Sequence, residues 1–196
     1  GHRRKSGKIS MNSANKSRTI ASLFQTLERG GDRDYGDDHV TQLAHALQCA
    51  RQADETGAAP TLVAAALLHD IGHLINADDW AAFQRHEDAR HEILGARYLE
   101  QWFGPNVTVP ISLHVKAKRY LTAIEAAYYD GLSTRSKETL ALQGGPFVAA
   151  DAATFRALPY MSDAVALRRW DDGGKIPDAD VPPLEFYEPH LLAVLE

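Results

Sequence analysis

The sequence predicts an all-α protein, and three observations support this fold class. Apolar residues recur at intervals of three and four along most of the chain, the spacing that gives a helix one apolar face. Proline and glycine stand at the ends of these stretches, where helices begin and end. No stretch alternates apolar and polar residues with the period of two expected of a half-buried strand. The 196 residues are enough for one domain with a core and too few for two ordinary domains.

The individual helices follow in chain order from these patterns. Leu43 and Leu47 belong to the apolar face of the first helix, which ends before Gly57. Pro60 opens the second helix at a favoured first-turn position, and the Gly-Pro pair at 104–105 ends the third. The predicted helices, with a loop at 173–183 after the last, span 37–55, 60–75, 87–103, 107–116, 120–129 and 136–143.

The composition narrows the possible partners. A net charge of -5 and a pI near 6.0 give no basic surface of the kind that binds nucleic acid or anionic membranes, so an anionic ligand must be small. The longest nearly apolar run, 58–68, is much shorter than the roughly 20 residues of a membrane-spanning helix. We therefore expect a small-molecule substrate, with no nucleic acid and no membrane, and the sequence indicates no protein partner.

Two further features bear on location and domain limits. Cys49 is the single cysteine, so no internal disulfide can form, and a reducing, cytoplasmic location fits. Residues 1–10 precede Met11 and are basic with little apolar content, so we expect them to be a cloning remnant. The domain then spans 11–196.

Five polar residues point to a metal site. They fall on four successive predicted helices at intervals of about 22 to 24 residues: His45, His69, Asp70, His91 and His114. Any one histidine taken alone is more often a half-buried, hydrogen-bonded side chain. Together, facing helices of a bundle can each contribute an inward ligand. The adjacent imidazole and carboxylate of His69 and Asp70 can serve one metal or bridge two. His73 lies one turn beyond His69 on the same predicted helix, so both rings should point toward the core.

The order His, His-Asp, His, His, Asp, ending at Asp171, resembles the ligand pattern of HD-domain proteins. Further stretches resemble one oxygenase group of that family, which cleaves the carbon–phosphorus bond of 1-hydroxy-2-aminoethylphosphonate and its N-methylated relatives. The resemblance covers most of the chain between positions 35 and 183, and the stretches that carry it are 35–38, 41–50, 67–73, 114–121, 143–146 and 169–171. It implies a single HD-domain helical bundle.

The resemblance also implies a mixed-valent Fe(II)/Fe(III) pair and O₂ as co-substrate. One iron would take His45, His69 and Asp171, the other would take His91 and His114, and Asp70 would bridge them. Imidazole and carboxylate ligands suit iron in both oxidation states, and they suit manganese and other first-row metals too. Oxygen would be inserted at the carbon that carries hydroxyl and phosphonate, giving phosphate and a carboxylate.

Four residues match the anion-binding positions of this group: His73, Lys118, Ser136 and Arg168. Each can donate hydrogen bonds to a phosphonate. By residue type alone, Lys118 and Arg168 would more often be solvated charges, and Ser136 would serve equally well as a helix N-cap. The expected catalytic residues are Asp70, His73 and Lys118.

Substrate identity depends on Tyr35 and Asp38, in a segment that could form a mobile lid. In group members that accept a primary amine a glutamate matches Asp38, so the carboxylate here is one methylene shorter. A quaternary ammonium has no N–H to donate, favours a roomier acidic pocket and stacks on aromatic faces such as that of Tyr35. We therefore expect (1-hydroxy-2-(trimethylammonio)ethyl)phosphonate, cleaved to glycine betaine and phosphate. The alternative is 2-amino-1-hydroxyethylphosphonate, cleaved to glycine, and Asp37 or Asp38 could also simply cap the following helix.

Two rival functions stay open at this point. An HD-domain phosphohydrolase would share His45, His69, Asp70 and Asp171 and would need no oxygen. It has no reason to combine Tyr35, Asp38 and Lys118 with the break at 143–146. A catalytically silent HD-domain sensor or binding module would keep the metals for stability, and it has no use for His73 and Lys118 at the same site.

Overall fold

The computed structural model describes residues 11–35 and 39–196. Within these two ranges the fold is helical, and the only extended pairings are isolated bridges between Asp34 and Thr41 and between Phe103 and Leu195. The prediction of an all-α fold is therefore confirmed. A short 3-10 helix, Leu184–Tyr187, precedes the last of the α-helices, which in chain order are α1 (Ser13–Gly31), α2 (Gln42–Glu55), α3 (Pro60–Leu68), α4 (Ile71–Ile75), α5 (Asp79–Gln84), α6 (His91–Leu99), α7 (Pro105–Ile124), α8 (Tyr128–Gly131), α9 (Thr134–Leu142), α10 (Ala149–Arg156), α11 (Met161–Gly173) and α12 (Glu188–Val194).

Helix α3 is the centre of the main core. Every residue from Val63 to Leu68 is buried, because apolar side chains surround the helix instead of forming one stripe. Helices α2, α7, α11 and α12 pack around it. The functional pair His69-Asp70 follows directly at its carboxyl end, so the most buried helix of the bundle fixes the position of this pair.

The predicted helix 60–75 is broken at His69-Asp70 into α3 and α4. Asp70 has φ -100° and ψ 9°, outside the helical range. His69 and His73 therefore do not share one helical stripe as predicted: His69 is fully buried, whereas the side chain of His73 is 23% exposed.

A close backbone contact sets the position of α4. A Cβ atom at Gly72 would lie 2.0 Å from the carbonyl oxygen of His91, so only glycine permits this approach of α4 to α6. The contact brings Asp70, two residues before Gly72, beside His91 at the start of α6. A glycine in α4 thus joins two parts of the site.

Other helices also differ from the predictions in their number and bounds. The predicted helices 107–116 and 120–129 are one continuous helix, α7, with the short α8 beyond it. Helix α1 was not predicted, although Ile20, Leu23 and Leu27 are buried at intervals of three and four. The predicted loop 173–183 contains no helix after Gly173. No described helix combines the length and the apolar character needed to cross a membrane.

Helix α2 begins at Gln42, five residues after its predicted start. Its N-cap is Thr41, whose Oγ1 accepts a hydrogen bond from the N–H of Ala44 at 3.1 Å. Asp37 and Asp38, the alternative caps, lie outside the described residues, as do residues 1–10. The helix therefore has a cap that does not involve either aspartate.

Candidate metal centre

Six side chains singled out in the sequence meet in the interior of the bundle. They come from α2, from the break between α3 and α4, from the first residue of α6, from the middle of α7 and from the end of α11. All are buried: His45, His69, Asp70, His91, His114 and Asp171. Residues far apart in the chain therefore form one polar cluster in the interior of the bundle.

Asp70 lies between two pairs of histidines. Its Oδ2 is 3.3 Å from His69 Nε2 and 3.5 Å from His45 Nε2. Its Oδ1 is 3.3 Å from His91 Nε2 and 3.7 Å from His114 Nε2. Each oxygen of one carboxylate thus faces one pair of imidazoles, which is the arrangement of a bridging ligand between two cations.

Backbone carbonyls fix the protonation of three of the rings. His45 Nδ1 lies 2.8 Å from the oxygen of Gly174, His69 Nδ1 lies 2.8 Å from that of Ala66, and His114 Nδ1 lies 2.7 Å from that of Ile111. A carbonyl oxygen only accepts, so each Nδ1 donates, and a ring that carries no second proton presents its Nε2 lone pair to the cluster. This orientation is typical of metal-binding histidines.

The inward nitrogens lie too close together for a cluster without a cation. His45 Nε2 is 3.3 Å from His69 Nε2, and His91 Nε2 is 3.1 Å from His114 Nε2. Lone pairs that face each other at these distances repel unless a proton or a metal ion lies between them. Asp70 Oδ2 is in addition buried without a hydrogen-bond partner. The donor set therefore fits two metal ions.

Asp171 belongs to the first histidine pair. Its Oδ1 lies 3.2 Å from His45 Nε2 and 3.8 Å from His69 Nε2. Its Oδ2 forms an ion pair of 2.7 Å with Arg168 Nη1. The hydroxyl of Tyr35 donates to Asp171 Oδ1 at 3.3 Å. Asp171 thus connects the polar cluster to two of the predicted substrate-binding residues.

Both carboxylates are ionised. Burial raises the pKa of Asp70, but the positive charge that His69 can carry holds that pKa well below its ordinary value. Burial also raises the pKa of Asp171, and the Arg168 guanidinium holds it well below the ordinary value. Burial lowers the pKa of His69, yet the two carboxylates raise it to about 10. The buried negative charge therefore demands positive charge in the cluster, which metal ions supply.

A cavity of about 340 Å³ opens on one side of the cluster. Asp70, His91, His114 and Asp171 face it from the metal side. All four predicted anion-binding residues line the same cavity: His73, Lys118, Ser136 and Arg168. Together they place hydrogen-bond donors beside the two potential metal positions. A small anion in the cavity can therefore contact the donors and a metal ion at the same time.

One family model and three related proteins bear on this geometry. Residues 42–141 match the family model described as HD domain. This chain belongs to the HD-domain family.

The Gimesia maris protein named "Hydroxymethylphosphonate dioxygenase" is 44% identical over 178 residues, which cover 90% of this chain and 88% of that protein. The Leisingera caerulea protein named "[1-hydroxy-2-(trimethylamino)ethyl]phosphonate dioxygenase (glycine-betaine-forming)" is 35% identical, with 93% of each chain covered. "Uncharacterized protein L432" of Acanthamoeba polyphaga mimivirus is 33% identical and covers 90% of this chain and 80% of its own. With two named dioxygenases related to it over nearly the whole chain, this HD-domain protein is a dioxygenase enzyme.

Lys118 is a buried lysine whose hydrogen-bond partners in this HD-domain enzyme are neutral. Its Nζ donates to Thr139 Oγ1 at 2.9 Å and to the carbonyl oxygen of Ser136 at 3.4 Å. Within the described parts of the chain, no carboxylate lies within ion-pair distance of it. Burial and the nearby Arg168 lower the pKa of Lys118 to about 7. An anion bound in the cavity would therefore give Lys118 the countercharge that its hydrogen-bond partners do not supply.

Arg168 is held in place by acids. Besides the pair with Asp171, its guanidinium contacts the Asp172 carboxylate, and its Nε donates to the hydroxyl of Tyr128 at 3.2 Å. Arg168 Nη2 also lies 3.5 Å from the hydroxyl of Ser136. Ser136 is not the N-cap of α9, because that position is Ser133, whose Oγ accepts from the N–H of Ser136 at 3.2 Å. The Ser136 hydroxyl thus lies in the cavity wall instead of capping the helix.

His73 and Tyr35 have partners that the sequence did not indicate. His73 Nδ1 lies 2.8 Å from both carboxylate oxygens of Asp79, and its ring stacks on that of His91 at 3.9 Å. The ring of Tyr35 stacks on that of His45 at 3.9 Å. Asp79 was missed because an acidic residue at the start of a surface helix, α5, is ordinary by type.

Lys175 is the second residue that sequence reasoning missed. It follows α11 in the predicted loop, and its Nζ donates to Ser136 Oγ at 2.9 Å. Its sequence position, four residues after Asp171, is the only signal that it stands near the site. Asp38, the remaining predicted substrate residue, lies outside the described residues.

Proposed function

We propose that this enzyme binds two irons and uses O₂ to cleave the carbon–phosphorus bond of a small 1-hydroxyphosphonate, with hydroxymethylphosphonate as the first candidate. One observation carries the proposal. The carboxylate of Asp70 faces two histidine pairs at the base of a cavity whose wall holds Lys118, a buried lysine with no carboxylate within ion-pair distance in the described parts of the chain. That arrangement combines a two-metal centre with a site for a small anion.

The metal assignment follows the distances around Asp70. The first iron would take His45, His69 and Asp171, the second would take His91 and His114, and Asp70 would bridge the two. Iron, when bound, supplies the one-electron chemistry that activates O₂. We propose a mixed-valent Fe(II)/Fe(III) pair, and an electron paramagnetic resonance signal from the coupled pair tests this assignment.

The protein's own residues would bind and orient the phosphonate. Lys118 and Arg168 approach the cavity from α7 and α11, and Ser136 presents its hydroxyl between them. His73 donates Nδ1–H to Asp79, so a protonated His73 has its Nε2–H free for a phosphonate oxygen. Donors on several sides of one anion hold the hydroxyl-bearing carbon in one position next to the metal centre and exclude water.

The overall reaction is balanced without a further reductant. Hydroxymethylphosphonate and O₂ give formate and phosphate: both oxygen atoms enter the products, the C–H and C–P bonds break, and the four electrons come from the substrate carbon and the C–P bond. With a trimethylammoniomethyl substituent on that carbon, the carboxylate product is glycine betaine. The same residues therefore serve either substrate, because the two substrates differ only in the substituent on the reacting carbon.

The first candidate rests on similarity and on charge. The relative named for hydroxymethylphosphonate is 44% identical to this chain, against 35% for the relative named for the trimethylated substrate. The Tyr35 ring, expected from sequence to receive an ammonium, already has the Lys175 ammonium 5.6 Å from its centroid. The trimethylated substrate remains the second candidate, because the cavity of about 340 Å³ leaves room for its substituent.

Oxygen uptake and phosphate release by iron-loaded protein test the proposal. The substrates are hydroxymethylphosphonate, the trimethylammonio compound and 2-amino-1-hydroxyethylphosphonate. We expect equal amounts of O₂ consumed and phosphate released, fastest with hydroxymethylphosphonate. Phosphate release from phosphoesters without O₂ would instead identify an HD-domain phosphohydrolase. Metal binding with no turnover of either class would favour a silent sensor or binding module.

A further inference from the structure

The ammonium of Lys175 stands at the edge of the candidate site. Its Nζ donates to Ser136 Oγ at 2.9 Å and to Ser133 Oγ at 3.3 Å, and it lies 5.6 Å from the centroid of the Tyr35 ring. Both hydroxyl partners are neutral. In the described parts of the chain no carboxylate lies within ion-pair distance of this ammonium. Its positive charge is therefore not neutralised by an ion pair there and can act on a charged group of a bound substrate.

The backbone on both sides of Lys175 is anchored to α2. The carbonyl of Gly174 accepts from His45 Nδ1 at 2.8 Å, and a Cβ at Gly174 would lie 2.6 Å from the sulfur of Cys49. On the other side, the side-chain amide of Gln48 accepts from the N–H of Ile176 and donates to its carbonyl, both at 2.9 Å. The main chain around Lys175 is therefore held in place, and the hydroxyls of Ser133 and Ser136 orient its ammonium near the Tyr35 ring.

The Lys175 ammonium lies near an aromatic ring of the cavity wall. Tyr35 lines the cavity, donates its hydroxyl to Asp171 and stacks on His45, so its ring lies beside the metal centre. A cationic substituent that approached this ring would meet the Lys175 ammonium at short range. Like charges at such a distance repel strongly where burial limits screening by water.

We propose that Lys175 is a specificity-determining residue that disfavours ammonium-bearing substrates and favours 1-hydroxyphosphonates with hydrogen or a small neutral substituent on the reacting carbon. This inference rests on the proposed function. Lys175 also attracts the phosphonate of every substrate, so its loss weakens binding in general. Only the repulsion of an ammonium differs between substrates, and a comparison of two substrates isolates it.

A pair of substrates matched in size separates charge from volume. The first is the trimethylammonio compound, and the second is (1-hydroxy-3,3-dimethylbutyl)phosphonate, in which a carbon replaces the nitrogen. We would measure kcat/KM for both with iron-loaded wild type, Lys175→Met and Lys175→Arg. The wild type should prefer the neutral compound, Lys175→Met should reduce that preference about tenfold, and Lys175→Arg should keep it.

Two further measurements make the outcome decisive. Circular dichroism and metal content establish that each variant is folded and loaded, with Lys175→Gln as a second neutral variant. Calorimetric dissociation constants of both compounds give the same ratio without turnover. A purely structural role of Lys175 changes both substrates equally, so an unchanged ratio in the neutral variants overturns the inference while C–P cleavage stands. Absence of O₂-dependent cleavage of every 1-hydroxyphosphonate overturns the proposed function instead, and the binding ratio then still decides the charge effect.

Discussion

The Cα of Gly72 lies so close to the carbonyl oxygen of His91 that a methyl group on it would stand 2.0 Å from that oxygen. Helix α4 and the start of α6 are thereby held in contact, and Asp70 Oδ1 comes to lie 3.3 Å from His91 Nε2. The geometry of the second histidine pair thus depends on the absence of a side chain at one residue.

Replacement of Gly72 by alanine should therefore separate α4 from α6. We expect a destabilisation of about 1–3 kcal/mol, since the clash is with backbone, which cannot move aside as a flexible side chain can. Metal content should fall in the same variant. Thermal unfolding and metal analysis check both, with Gly131→Ala as the matched control because no atom lies within 4 Å of a Cβ built there. Equal behaviour of the two variants would contradict this account.

Removal of one ligand should have a graded effect on metal content. Asp70 faces both histidine pairs, whereas His91 belongs to only one of them. His91→Ala should therefore lose about one metal ion per chain, and Asp70→Ala should lose more than one. Metal analysis of purified protein gives the counts. His190→Ala is the control, because His190 is paired with Asp54 at 3.0 Å, outside the cluster. Two metals retained in Asp70→Ala would exclude a bridging role.

Much of the site could be predicted from the sequence because its chemistry is carried by residue type. Two histidine pairs and Asp70 on four successive predicted helices predict convergence in a bundle, the family resemblance adds Asp171, and the structure brings all six side chains together. The break between α3 and α4 could not be predicted in this way, since the apolar pattern of 60–75 continues across it. Contact with α6 at Gly72 sets α4 apart from α3, and that contact is tertiary.

The residues that sequence reasoning missed are ordinary by type. Asp79 begins a short surface helix and Lys175 lies in a loop, which are common places for charged residues. Each gains its significance from a partner far away in the chain or on another element: Asp79 from His73, and Lys175 from Ser136 and Tyr35. Helix α1, by contrast, shows the usual apolar spacing and could have been predicted.

The affinity for phosphonate should depend on the charge of Lys118. Burial and Arg168 lower the pKa of this lysine to about 7, so in the free enzyme its ammonium is charged below that pH and loses its proton above it. KM for the phosphonate should therefore rise with pH above about 7. Lys118→Arg should lack this rise, because arginine stays charged. Substrate ionisation is common to both proteins, so the difference between their KM profiles isolates the lysine.

Removal of the Lys118 charge should also weaken binding at a fixed pH. Lys118→Met should cost about 2–5 kcal/mol in phosphonate binding below pH 7, because the anion loses a buried charged donor. Lys116→Met, on the same helix and exposed, is the control. Parallel KM profiles for wild type and Lys118→Arg, or equal losses in Lys118→Met and Lys116→Met, would contradict direct contact between Lys118 and the substrate.

Asp79 should act through His73 without touching the substrate. Both of its carboxylate oxygens lie 2.8 Å from His73 Nδ1, and this pairing raises the pKa of His73 against the opposite effect of burial. Asp79→Asn should therefore lower kcat/KM about 10- to 100-fold, the range typical when the orienting partner of a metal-ligating histidine is removed, because Asp79 orients the imidazole of His73 in the same way. The neighbouring Asp78 offers a matched control, since it is exposed and paired with Arg85 instead.

Steady-state kinetics of Asp79→Asn, Asp78→Asn and His73→Ala, with the double variant of residues 73 and 79, measure the coupling. A double variant no worse than His73→Ala is expected, because Asp79 has nothing left to orient once the imidazole is gone. Additive losses would show instead that Asp79 acts independently of His73.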